Sequence, residues 1–179
     1  MAANGYHPRV SDENGDGIPD DQVLGAALHA ELLRRGGTLA TAESLTGGAL
    51  GDLVSASPGA SETYLGGVVS YATEVKVRVL GVSKSTVDEH GVVSEQCALE
   101  MAEGVRTLVG TDWGVSTTGV AGPTEQEGKP VGLVYVGISG PEVSRCEELH
   151  LEGDRSQVRH QACVRAASLL LESVVGEQG

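Results

Sequence analysis

Residues 38–48 read TLATAESLTGG: a short apolar run that passes through hydroxyl side chains into two glycines. The run Thr38 to Glu43 predicts a strand, and Ser44-Leu45-Thr46-Gly47-Gly48 predicts a turn into a helix of small residues ending at Ser57-Pro58-Gly59. A strand that ends this way gathers backbone N–H groups around one point, a natural seat for a phosphate or a developing oxyanion. The same letters equally describe a capped helix after a tight turn.

Upstream, Leu24, Leu28 and Leu32 recur at helical spacing from Asp21 and stop at Gly36-Gly37. Residues 1–20 are polar, carry no hydrophobic period and read as a disordered arm, with 21–176 as a single domain. Within the arm, Asp12, Asn14, Asp16, Gly17 and Asp20 imitate the start of a calcium loop, but Val23 stands where the bidentate Glu belongs. A solvated tail is the preferred reading.

Downstream, Leu65 to Tyr71 reads as a buried strand, followed by a short helix near 74–80. Ser94 caps a helix with Met101, Val105 and Leu108 on one face, closed by Gly110. Trp113 to Thr118 reads as a strand running into Gly119-Val120-Ala121-Gly122-Pro123, and Thr124 to Lys129 as a polar loop. Two more strands follow, Val131 to Ile138 and Arg145 to Leu151. Asp154 then caps a last helix with Val158, Ala162, Ala166, Leu169 and Leu170 facing inward. Alternating strands and helices predict a three-layer α/β/α sandwich, and the helix-free step between the last two strands predicts a mixed, mostly parallel sheet. With no Phe and a single Trp among 179 residues, its core must be aliphatic and closely packed.

A net charge of −13 argues against nucleic acid as a partner. No stretch approaches the roughly 18 apolar residues of a membrane span. Three widely spaced cysteines, Cys97, Cys146 and Cys163, suit a reduced, cytoplasmic protein. The five histidines show no ligand spacing and no carboxylates cluster, so neither metal nor cofactor is expected.

Three further segments carry chemistry. Tyr71 and Lys76 follow the predicted second strand; a Lys desolvated there becomes a general base able to deprotonate a serine, the alternative being a surface Lys and a packing Tyr. Ser61 sits in a loop, and Thr118-Gly119-Val120-Ala121-Gly122-Pro123 forms a second glycine turn. Because ligands of α/β sheets lie beyond the carboxyl ends of strands, the two glycine turns can share one pocket. Arg155, opening the last helix, offers a planar fork to a phosphate, or is an exposed first-turn residue.

Taken together, Ala42-Glu43-Ser44-Leu45-Thr46-Gly47-Gly48, Pro58-Gly59-Ala60-Ser61, Tyr71-Ala72-Thr73-Glu74-Val75-Lys76, Leu80-Gly81-Val82, His90-Gly91-Val92-Val93-Ser94, Thr118 through Pro123 and Lys129-Pro130-Val131-Gly132 resemble one family, in order. It is the CinA C-terminal-domain family, whose characterised members are nicotinamide-nucleotide amidohydrolases; the likeness covers roughly residues 22–175. The resemblance implies hydrolysis of nicotinamide mononucleotide to nicotinic acid mononucleotide and ammonia, in pyridine-nucleotide recycling, without metal. It implies Lys76 as base, Ser61 as nucleophile with Ser44 its rival, and Tyr71 assisting proton transfer. Thr46, Gly47, Gly48, Gly119, Ala121 and Gly122 would lie against the substrate, and Arg155 would hold the phosphate.

Two departures stand out. Leu45 replaces a frequent Cys, and Thr124-Glu125-Gln126-Glu127-Gly128 replaces the family's Gly-Gly pair, bringing two carboxylates that would repel a phosphate. Without a counterpart to the family's larger N-terminal partner domain in its 179 residues, the sequence is expected to resemble the stand-alone form. The rival expectation is a non-catalytic nucleotide-binding module or a partner in competence or DNA-damage responses; a third is the same chemistry on another small amide. Self-association into a homo-oligomer is also expected.

Overall fold

The computed structural model describes residues 21–176, so the arm and its calcium-like segment lie outside the described residues. In chain order the elements are α1 (Asp21–Arg35), β1 (Leu39–Glu43), α2 (Ala49–Ser55), β2 (Tyr64–Val69), α3 (Thr73–Leu80), α4 (Lys84–His90), α5 (Glu95–Val109), β3 (Trp113–Gly119), β4 (Leu133–Ser139), β5 (Ser144–His150) and α6 (Arg155–Gly176). A single 3-10 turn, Ala60–Glu62, precedes β2.

The sheet order is β2-β1-β3-β4-β5. β1 runs parallel to both β2 and β3, while β4 is antiparallel to β3 and β5. Four strands therefore point one way and β4 the other, the mixed sheet expected from two consecutive strands without a crossover helix. One face is covered by α1, α2 and α6 around Leu28, Leu50, Val136 and Leu169. The other carries α3, α4 and α5 around Leu80, Val93, Met101 and Val105. Three layers result, and the carboxyl ends of β1, β2 and β3 open onto a common rim.

Local chemistry sets the element ends. Ser94 Oγ accepts the Cys97 N–H at 3.3 Å to start α5, and Gly110, at φ 76, ends it in the left-handed conformation. Asp154 Oδ1 accepts the Ser156 and Gln157 N–H groups at the head of α6.

Two expectations change. The second strand is not buried: among the described residues β2 has only one neighbour, so Leu65 and Val69 are half exposed, and Tyr71 lies beyond its end. Leu108 does not join the inner face of α5, where Cys97, Ala98, Met101, Ala102 and Val105 form the buried stripe. At 3.6 residues per turn that stripe continues to Val109.

Candidate active site

β1 is buried along its whole length and delivers Ser44 to the rim, where the Ser44 N–H donates to the Thr117 carbonyl at 2.9 Å. The turn that follows is wound around Glu43. This carboxylate, only 2% exposed, accepts hydrogen bonds from the Thr46 hydroxyl and the N–H groups of Gly48, Leu50 and Gly51, at 2.8–3.0 Å. Gly47 and Gly48 hold the left-handed angles (φ 61 and 102) that let the chain fold back over it. From the other side Arg159 on α6 donates to the carbonyls of Leu45 (2.9 Å) and Thr46 (2.6 Å). The turn is thus fastened at the core by an anion and at the surface by a cation.

α3 begins where β2 ends and lies across the rim. Its two buried residues are Lys76 and Leu80, one turn apart. Lys76 is 1% exposed, and its Nζ donates to Ser44 Oγ at 2.9 Å and to the Ser70 carbonyl at 2.5 Å. Burial pushes the Lys76 amine below the ordinary lysine range, with Cys97 and Glu127 only partly opposing it. Cys97 itself is driven up to about 11 by burial, so its thiol stays protonated at neutral pH. A serine hydroxyl in contact with a desolvated amine is the arrangement of a Ser/Lys nucleophilic pair.

The pair opens onto a cleft of about 310 Å³, lined also by Thr118 to Gly122, Tyr71 and Arg155. Tyr71 stands at the mouth, 60% exposed. Its hydroxyl accepts from Arg155 at 2.6 Å, and Arg155 also donates to the Gly122 carbonyl at 2.6 Å. Arg155 therefore braces Tyr71 against the second glycine turn. Of the first glycine turn only Ser44 and Leu45 reach this cleft, beside Thr118 to Gly122 of the second.

Not every candidate comes together. Ser61 lies in the exposed 3-10 turn ahead of β2, whereas Ser70 and Lys76 follow it. Six residues of strand at about 3.3 Å each separate the two ends, so Ser61 stands some 20 Å from the amine. Thr46 turns inward, its hydroxyl on Glu43 and Thr117 at 2.8 Å, and does not line the cleft. Gly47 and Gly48 also lie outside the lining; Gly47 sits beside the Tyr71 ring.

Sequence reasoning assigned no role to Glu43 and Arg159, which hold the turn. It also left open how the 124–129 loop is held. Glu127, with φ 56, swings its carboxylate away from the cleft onto the N–H groups of Val92 (3.0 Å) and Val93 (3.5 Å). Lys129 Nζ donates to the carbonyls of His90 and Val93. Only Glu125 of the two carboxylates faces the cleft. Gly91 makes this packing possible: at φ 77, a Cβ there would stand 2.5 Å from Glu127 Oε2. Gly91→Ala is therefore expected to cost about 1–3 kcal/mol, a melting drop of roughly 2–12 °C. An unchanged melting temperature would show that Glu127 is not held there.

Comparison with known proteins settles the lineage. The model of the CinA C-terminal domain matches residues 21–174. The chain belongs to this family. It is 46% identical over 160 residues to a putative competence-damage inducible protein of Caldanaerobacter subterraneus subsp. tengcongensis, covering 89% of this chain and 39% of that protein. A CinA-like protein of Frankia casuarinae is 44% identical, with 89% and 37% covered. The chain thus spans under two-fifths of the curated relatives it matches. A solved competence-damaged protein (CinA) superfamily structure from Klebsiella pneumoniae superposes with a TM-score of 0.85 at 34% identity, covering 88% of this chain and 99% of that one. The CinA fold is therefore shared over the matched part of the chain. No helix among the described residues is long and apolar enough to cross a membrane.

Proposed function

We propose that this CinA domain hydrolyses the carboxamide of nicotinamide mononucleotide to nicotinic acid mononucleotide and ammonia, with Ser44 as nucleophile and Lys76 as its base. The observation that carries the reading is the 2.9 Å contact between Ser44 Oγ and a Lys76 amine that is 1% exposed. The neutral amine takes the Ser44 proton as Oγ bonds to the amide carbon. The carbonyl becomes an oxyanion for which the N–H of Leu45, a cleft-lining residue, is available, since it donates no hydrogen bond among the described residues. The Lys76 ammonium then returns its proton to the nitrogen, the C–N bond breaks and ammonia leaves. Water, deprotonated by the same amine, attacks the ester; the acid is released and Ser44 regains its proton.

Arg155 suits the phosphate end. Its planar guanidinium has five N–H donors, and the Tyr71 and Gly122 contacts leave others for an anion. Arg155→Ala should raise KM about tenfold for the nucleotide, the scale of one charge-assisted contact, and far less for the unphosphorylated riboside. An equal rise for both would remove Arg155 from the phosphate.

The deciding assay is ammonia release from nicotinamide mononucleotide by the purified protein. Release supports the amidohydrolase. Nucleotide binding by calorimetry without release would favour a binding module, a reading to which the competence-damage names of the relatives also lean. Release from other small amides but not from this nucleotide would keep the chemistry and change the substrate.

A further inference from the structure

The cleft carries two opposite charges that do not neutralise each other. Among the described residues Arg155 is engaged with Tyr71 and Gly122, not with a carboxylate. Glu125 lines the same cleft, and no hydrogen bond or ion pair to it occurs among the described residues. Its neighbours in the loop are spoken for. Gln126 and Lys129 exchange backbone hydrogen bonds at 3.2 and 2.9 Å, closing a tight hairpin. Glu127 and Lys129 then fasten that hairpin to residues 90–93. A loop pinned at two side chains on its far limb presents Glu125 on the near limb, at a set place on the cleft wall.

The geometry points to Glu125 as the residue that selects an amide whose ring carries a positive charge, the cleft being lined by both a cationic Arg155 and an unpaired anionic Glu125. Glu125's role rests on the amidohydrolase reading and extends it to a substrate class. A carboxylate unpaired in the free protein gains a partner when a pyridinium enters, and nothing when a neutral ring does. Hydrolysis converts the neutral carboxamide into a carboxylate, so Glu125 also opposes retention of the product. The two-carboxylate repulsion expected of this loop falls to one charge, because Glu127 faces away.

The test is calorimetry on protein carrying Ser44→Ala, which binds without turnover, with and without Glu125→Gln. Three probes are titrated: nicotinamide mononucleotide, the phosphate of benzamide riboside (same shape, neutral ring) and 1-methylnicotinamide (charged ring, no phosphate). The charged nucleotide should bind about threefold to tenfold more tightly than its neutral counterpart, as expected of one partly exposed charge pair. Glu125→Gln should abolish that preference, bind the neutral analogue at least as tightly as before, because one repulsion of its phosphate is removed, and keep the melting temperature. The preference should also shrink as salt is raised. If both nucleotides bind and Glu125→Gln weakens them equally or not at all, Glu125 is not the selector, while the nucleotide reading survives. If neither nucleotide binds but 1-methylnicotinamide does, and Glu125→Gln loses it, selection stands and the nucleotide reading fails. Binding of none of the three overturns both.

Discussion

Lys76→Met should lower ammonia release by roughly a thousandfold or more, as loss of one member of a nucleophile–base unit does, and Ser44→Ala should match it. The double variant should be little worse than either alone, because the two side chains act as one device. Ser61→Ala, by contrast, should stay within twofold of the parent, an estimate for a side chain a strand's length from the chemistry. Near-normal turnover in Lys76→Met would remove the amine from the mechanism; a collapse in Ser61→Ala would return the nucleophile to the 3-10 turn.

Methionine suits this test because it keeps the unbranched length of Lys76 without its charge. The amine must be neutral to accept a proton. Activity should therefore rise with pH through an apparent pKa below the ordinary lysine value of 10.5, since burial lowers it. Stability carries the same signature. Unfolded, the lysine holds its proton up to about pH 10.5, whereas the folded lysine gives it up earlier. Between those points the unfolded state binds more protons, so wild-type stability rises with pH. Below the folded value both states are charged and the burial penalty is at its full size. The stability of Lys76→Met relative to wild type should therefore be highest at low pH and fall as pH climbs towards 10.5. A relative stability that does not vary with pH would mean that the amine is not desolvated in solution.

The second large effect belongs to Glu43. Four donors converge on one buried carboxylate, three of them backbone N–H groups. Glutamine has the same shape but turns an NH2 group towards some of those donors. Glu43→Gln should cost about 3–5 kcal/mol, the scale for breaking a buried charged network, and lower the melting temperature by roughly 6–20 °C. At a temperature where the variant is still folded, kcat should fall more than KM rises, because Ser44 is carried by the turn while Arg155, the proposed phosphate holder, lies elsewhere. A melting change under about 2 °C, less than 1 kcal/mol in a chain of this size, would contradict the wound-turn description.

Much of this was open to a reader of the chain. The run ending in Ser44, the two glycine turns and the alternation of strand and helix are local signals, and local signals survive folding. Three features were not legible for definite reasons. Ser61 lies in the same stretch of chain as Ser44 and Lys76, but chain proximity says nothing about the strand between Ser61 and Lys76, which puts them at opposite ends of the sheet. The exposure of Leu65 and Val69 depends on β2 being an edge, a property of the whole sheet order. Burial of Lys76 follows from where α3 lands, since Val79 on the same helix is partly exposed while Lys76 is not. The Glu125–Glu127 pair looked like one acidic patch. The positive φ of Glu127 and the absent side chain of Gly91 divide it into a structural tether and a free charge.

That tethering separates two tasks that most pockets mix. The proposed bond-breaking groups sit at the end of β1 and on the buried face of α3, while the hairpin from 124 to 129 is secured by its own far limb to residues 90–93. Residues 124–126 can then be rewritten without disturbing the serine or the amine. For a lineage, such a division is a route to new substrates through a handful of codons. For an engineer, it marks the short segment in which to place a library.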